Sequence, residues 1–221
     1  MASEGVDQLK EQFAITKPIK YSPHPIFDIY GDAVEKLDAC KKLNLDASFK
    51  YILFFGLVRK YKGLDLLLEG FAKFSSDQPN FKLLIAGESY DDWSTYQKII
   101  DDHQLGEKII RINSFIADKD VKYYFGASEF LALTYHSATQ SGVTQIAYSL
   151  NLPMLVTDVG DLPNMVKHDA VGQVCKKNST AIANGLATIS NQENINRYRK
   201  NILIEKIRFE WSTLCDSLDN L

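Results

Sequence analysis

The chain lacks most of the features that would assign it to a large functional class at sight. Its formal net charge is only -3 over 221 residues, so no strong field favours a nucleic-acid backbone as partner. Its three cysteines, Cys40, Cys175 and Cys215, are far apart, with no CxxC and no Cys/His spacing suited to a metal. Reduced thiols in a cytoplasmic setting follow, and a disulfide framework does not. The longest apolar run, residues 52–58, holds a glycine and falls far short of a bilayer span. The opening stretch MASEGVDQLKEQF is acidic and amphipathic, so it does not read as a signal peptide. Neither GxGxxG nor GK[ST] occurs, and no nucleophile elbow or repeat of solenoid length is visible.

What is present is a chain 45% hydrophobic, enough for one well-packed domain. Ser3 is placed to cap a first helix, with Val6, Leu9 and Phe13 at helical spacing behind it. Pro18, Pro23 and Pro25 then break the pattern as a linker would. A short helical stretch puts Val34, Leu37 and Leu43 on one side. From Tyr51 the rhythm changes. The apolar runs YILFFGL, FKLLIAG, KIIRI, EFLAL and PMLVT have strand length, and amphipathic stretches at 64–74, 96–103, 121–125 and 143–150 separate them. Continuous apolar strands alternating with helices predict an α/β fold, a doubly wound parallel sheet covered on both faces. Beyond Gly172-Gln173-Val174 the pattern is helical over 180–189 and 195–218.

In such a sheet ligands bind where strands end in glycine and helices begin. After the first run comes GLVRKYKG, residues 56–63, whose glycines admit close backbone approach and whose Arg59 and Lys62 suit a diphosphate. An ordinary strand-to-helix turn would also accommodate it. Glu88 and Ser89 follow the second run, as ribose ligands or as a cap for the next element. Tyr135-His136-Ser137-Ala138-Thr139-Gln140-Ser141-Gly142-Val143 follows the fourth, where hydroxyls and free helix amides make an anion or sugar cradle, or simply an N-cap. His136, with no carboxylate at readable spacing, reads as structural. Arg197-Tyr198-Arg199-Lys200 reads as a solvated helix face.

Taken in order, these segments resemble the C-terminal domain of group 1 (family 4) retaining glycosyltransferases. The resemblance rests on FFG at 54–56, KGLD at 62–65, LLIAGE at 83–88 and LNLPMLVTDVGDLPNMV at 150–166. Trp211 stands where that family often carries an aromatic, and the likeness extends over residues 18–221. It implies a Rossmann-like half of a GT-B fold that binds a UDP- or GDP-sugar and transfers a hexosyl group with retention, in polysaccharide or glycoconjugate synthesis. By this resemblance Gly56, Lys62 and, in place of the family's usual arginine, Arg59 would hold the diphosphate. Gly87, Glu88 and Ser89 would line the nucleoside, and Phe115 and Ile116 would lie beside the base. Thr139, Gln140, Ser141, Gly142 and Val143 would hold sugar and β-phosphate, with Gln145 reaching the ribose.

The family's Glu-x7-Glu pair is replaced by Ala138 and Ile146, as in a variant branch, and no catalytic residue is assigned. Neither cofactor nor metal is implied. The resemblance also divides the chain into residues 1–20, a remnant helix and linker, residues 21–205, the donor domain, and residues 206–221, a C-terminal helix. An acceptor-binding N-terminal domain would then lie elsewhere, making this a fragment or one half of a split protein, weakly active alone. The full enzyme would have no transmembrane segment but could associate peripherally with a membrane. Two other readings stay open: a non-catalytic nucleotide- or partner-binding module, favoured by the absent glutamates, and an NAD-dependent oxidoreductase, disfavoured by the absent GxGxxG.

Overall fold

The structure is a computed structural model, and it describes residues 5–19 and 22–219. The expected cap Ser3 and the expected domain boundary at 20–21 lie outside the described residues. Helix α1 (Gly5–Phe13) is followed by coil, then α2 (Lys36–Leu43), β1 (Lys50–Phe55), α3 (Leu64–Ser75), β2 (Phe81–Ala86), α4 (Ser94–Asp102) and β3 (Ile109–Ile112). Helix α5 (Asp118–Ala127) leads into β4 (Ser128–Leu133), α6 (Gly142–Ser149), β5 (Met154–Thr157), α7 (Leu162–Met165) and β6 (Gly172–Cys175). Helices α8 (Ser179–Ile189), α9 (Gln192–Glu205) and α10 (Trp211–Asp219) close the chain.

All six strands pair in parallel, in the order β3-β2-β1-β4-β5-β6. The apolar runs are continuous because each strand feeds two cores. Tyr51, Leu53 and Phe55 of β1 point into one, Ile52 and Phe54 into the other. On the second side Leu64, Leu67, Leu68 and Phe71 of α3 form the stripe that the sequence period requires. Gly70 lets α3 approach α8 closely, since a Cβ there would lie 2.5 Å from Ile182.

Three local expectations are corrected. Strand β6 reads weakly because GQVC alternates no apolar face. It forms because Gly172 lies against β5, with room for no Cβ beside the Met154 carbonyl, and because the Gln173 amide donates to the Tyr198 hydroxyl at 2.6 Å. In α2, Leu37 is 73% exposed, and Ala39 and Cys40 turn inward instead. The small Ala39 and Gly126 allow α2 and α5 to meet with a Cβ gap of 3.3 Å, which a leucine would not. The run at 195–218 is not one helix: a 3-10 turn at Lys206–Phe209 separates α9 from α10.

The cause of that break is Phe209, which is buried with its ring 4.8 Å from Tyr148. Its carbonyl accepts the Ile26 N–H at 2.8 Å, while Arg208 donates to the Met165 carbonyl at 3.0 Å. The proline-marked segment is therefore partly docked: Pro25 is buried and Ile26 and Phe27 pack on the core.

Replacing Phe209→Ala is expected to lower the unfolding free energy by about 3–5 kcal/mol in urea melts, a buried aromatic being lost. Trp211→Ala, on half-exposed α10, should shift it by no more than about 0.5 kcal/mol.

Candidate ligand-binding crevice

The strand order reverses between β1 and β4, and their loops diverge there to leave a crevice at the carboxyl ends. Backbone hydrogen bonds stitch its rim. The Gly56 N–H donates to the Ala86 carbonyl, Gly87 N–H to Ile112, and Val58 and Ser89 form a bridge beyond the strands. Gly87, at φ 143, packs so that a Cβ would overlap the Gly56 carbonyl. Gly63, at φ 65, lies against the Thr134 carbonyl with no room for a Cβ, and Thr134 Oγ1 donates back to the Gly63 carbonyl at 2.8 Å. These contacts hold the loops after β1, β2 and β4 in one frame.

Inside that frame sits Lys62, only 8% exposed, in a 3-10 turn just before α3. Its Nζ would lie 3.0 Å from a Cβ on Gly56, so the ammonium reaches under the end of β1. Burial pushes its pKa down to about 8, and the nearby Arg59 charge adds to the shift. Among the described residues no carboxylate pairs with it. A buried, unpaired ammonium is costly to the fold and suited to an anion. Arg59 is exposed and stacks over Tyr90, with its guanidinium 4.8 Å from the ring centroid, in the same loop but aimed outward.

Beside Gly56 lies a cavity of about 170 Å³ that unites Gly56, Gly87, Glu88, Phe115 and Ile116 with Tyr30 and Asp118. Three strand ends thus meet in one place. Phe115 is 76% exposed, an apolar ring presented at the cavity edge. Ser89 stands beyond it, its N–H given to Asn113 Oδ1 at 2.9 Å and its hydroxyl to the Asp91 carbonyl.

The loop from β4 to α6 forms the opposite wall. Gly160 allows the turn after β5 to touch it, since a Cβ there would overlap the Ala138 carbonyl. Thr139 and Gly142 are exposed, Gln140 and Val143 half-buried. Ser141 is the N-cap residue of α6 but caps nothing with its side chain. Its hydroxyl instead pairs with the buried Tyr135 hydroxyl at 3.0 Å, and burial pushes that phenol up so that it stays neutral. No side chain of the described residues caps the first amides of α6, which leaves the positive helix end open to an anion. Phe27 covers Gly142 from the docked segment, 3.0 Å from where a Cβ would be.

Gln145 is 1% exposed, and neither Oε1 nor Nε2 has a hydrogen-bond partner among the described residues. A buried amide left so costs about 1–3 kcal/mol. His136 has the carboxylate that spacing hid: its Nε2 lies 2.8 Å from Asp65 Oδ1 at the start of α3, 71 residues away. Its backbone N–H donates to the Tyr61 carbonyl, and Lys177 Nζ donates to its own carbonyl at 2.9 Å. His136 is therefore a brace between the two loops, and the last residue of KGLD is its partner. No group of three or more His, Cys, Asp or Glu among the described residues could hold a metal ion. No helix among them is long and apolar enough to cross a membrane.

Residues 36–205 match the family model described as Glycosyl transferases group 1. An uncharacterized glycosyltransferase of Methanocaldococcus jannaschii is 24% identical over 200 residues, covering 88% of this chain and 50% of that protein. Sucrose-phosphate synthase from Thermosynechococcus elongatus has the same fold over 100% of this chain and 56% of its own, with TM-score 0.80 at 18% identity. HepE from Anabaena, in complex with UDP-glucose, matches 88% of this chain and 56% of its own, with TM-score 0.73 at 18% identity. The chain spans about half the length of these relatives.

The Lys62 charge gives a two-sided expectation. In the unfolded chain the lysine stays protonated to about 10.5, whereas in the fold it releases its proton near 8. The burial cost is thus full below pH 8 and fades as pH rises toward 10.5. Lys62→Met is expected to raise stability at pH 7 by roughly 1–3 kcal/mol, an advantage that shrinks in melts at higher pH. The same variant should lose binding of inorganic pyrophosphate in calorimetry. A variant less stable than the native chain at pH 7 would show that the ammonium is compensated in the fold.

Proposed function

This chain belongs to the group 1 glycosyltransferases, and from that premise we propose that it is the donor-binding half of a retaining hexosyltransferase. Its Rossmann-like sheet is one half of a GT-B fold. The observation that carries the reading is the buried, unpaired Lys62 ammonium beneath Gly56, beside the cavity formed by three strand ends. A diphosphate placed over Gly56 would meet Lys62 and the open amides of α6, with Arg59 adding charge from the loop. As the bond from the sugar's anomeric carbon to the β-phosphate oxygen breaks, its electron pair passes to the diphosphate. Fixed cations and helix amides stabilise that charge without reorganising, so neither metal nor cofactor is invoked.

The nucleoside of a UDP- or GDP-sugar fits the cavity beside Glu88 and Ser89, with the base against Phe115 and Ile116. UDP-glucose bound to a protein of this fold supports the donor class. Thr139, Gln140, Ser141, Gly142 and Val143 would hold the sugar and β-phosphate, and the unpartnered Gln145 amide would meet the ribose. The acceptor hydroxyl would enter from an N-terminal domain outside this chain, in polysaccharide or glycoconjugate synthesis on the cytoplasmic side, with peripheral membrane association of the full enzyme. A second reading, a nucleotide-binding module without catalysis, is favoured by one observation: Ala138 and Ile146 leave this crevice wall without the glutamate pair.

Calorimetry with UDP, GDP and NAD tests the donor reading. UDP or GDP should bind, NAD should not, and Lys62→Ala should weaken the nucleotide by about tenfold or more, one charged contact being lost. Binding of NAD alone would overturn it. Transfer or hydrolysis of a bound donor sugar should be slow with these 221 residues by themselves, and efficient transfer would show that no second domain is needed. Gln145→Met separates fold from function: it should raise the thermal midpoint and weaken nucleotide binding together, whereas unchanged binding would remove Gln145 from the site.

A further inference from the structure

A second cavity, of about 190 Å³, lies at the opposite end of the sheet, where β4 begins and the chain enters β5. It far exceeds the roughly 10–15 Å³ of such space that one water needs. Its floor holds Glu129, 7% exposed. One carboxylate oxygen, Oε1, accepts from Lys36 Nζ at 2.8 Å. The other, Oε2, faces Arg199 Nη2 at 4.0 Å, beyond hydrogen-bond reach, and accepts from nothing else among the described residues.

Asn151 lines the same cavity, and its side-chain Oδ1 is buried without a partner. The position itself asks for no side chain. Asn151 follows α6 in the left-handed region at φ 54, where glycine serves the turn, and the Leu152 N–H donates back to the Ala147 carbonyl at 2.9 Å. Here asparagine adds an amide that the fold leaves unsatisfied.

Two acceptors without donors therefore face one space. The charged lining residues balance, Glu35 and Glu129 against Lys36 and Arg199, so neither a cation nor an anion is favoured. Val34, Phe125 and Leu150 supply apolar wall. Hydroxyl donors carried on a C–H-faced ring satisfy all three conditions. We propose that this cavity binds a neutral, polyhydroxylated ligand of monosaccharide size, at a site separate from the nucleotide crevice. Sugar hydroxyls donate to Glu129 Oε2 and Asn151 Oδ1 while the ring face packs on the apolar wall. If the crevice acts as proposed above, the site would anchor a sugar unit of a glycan away from the reacting end. The binding itself does not depend on that reading.

Amide-resolved NMR titrations of the 221-residue chain with glucose, galactose and mannose, and with ethylammonium chloride as a cationic control, test it. At least one sugar should move the resonances of Gly126, Glu129 and Asn151 saturably, with Gly56 and Gly87 unmoved. Asn151→Gly keeps the left-handed turn and removes the acceptor, and should weaken that sugar by about tenfold or more. Unchanged resonances of Gly56 and Gly87 in this variant confirm that it is folded. Lys62→Met, which disables the crevice, should leave sugar binding intact, so failure of one reading is distinguishable from failure of the other. The proposal is overturned if no sugar moves the cavity resonances or if only crevice resonances move. Equal sugar affinity in Asn151→Gly, or a response to ethylammonium alone, would overturn it too.

Discussion

Everything at the carboxyl end of the sheet depends on the contact between Gly63 and the Thr134 carbonyl. No Cβ fits between them, and the Thr134 hydroxyl closes the pair from the other side. That contact brings the loop after β1 against the loop after β4, across the point where the strand order reverses. The turn that carries Lys62 is thereby pressed under Gly56, and its ammonium loses water without gaining a carboxylate. The hydrogen bonds between His136 and Asp65 reinforce the same junction from the next turn of chain. A fold that holds a charge in this way is set up for an anion before any arrives.

The opposite end of the sheet shows the converse arrangement. There Glu129 is buried but shares its charge with Lys36, and the cost of burial is offset within the protein. What remains unsatisfied are acceptors rather than a cation. The two ends therefore differ in the chemistry they leave open: a positive field at the crevice, hydrogen-bond acceptors in a neutral cavity below. Neither surplus contributes to folding, and each is a cost that the two apolar cores carry.

Much of the crevice was legible from residue order. Gly56, Lys62, Gly87, Glu88, Phe115 and Ile116 could be picked out because each comes after an apolar run, and parallel strands deliver their trailing loops to one edge. The cavity joins five of these, with Lys62 beside it. Other features left no such trace. The partner of His136 is 71 residues distant, so no spacing rule pairs it with Asp65. Strand β6 lacks an apolar period and is held by its register on β5. Leu37 satisfied the helical period yet stays outside, because α2 approaches α5 through its smallest residues. Phe209 looked like one more helical apolar residue, and only its burial against Tyr148 shows why the terminal helix breaks.

By itself, the order of residues determined the fold class, the sequence of strands and helices, and the loops that carry ligand chemistry. Period and punctuation are local properties, and a parallel α/β sheet repeats them with little ambiguity. The tertiary structure alone decided which polar groups are left without partners: the Lys62 ammonium, the Gln145 amide, the Asn151 carbonyl and one oxygen of Glu129. Satisfaction of a buried polar group depends on what packing brings within about 3 Å of it, and no local pattern carries that information.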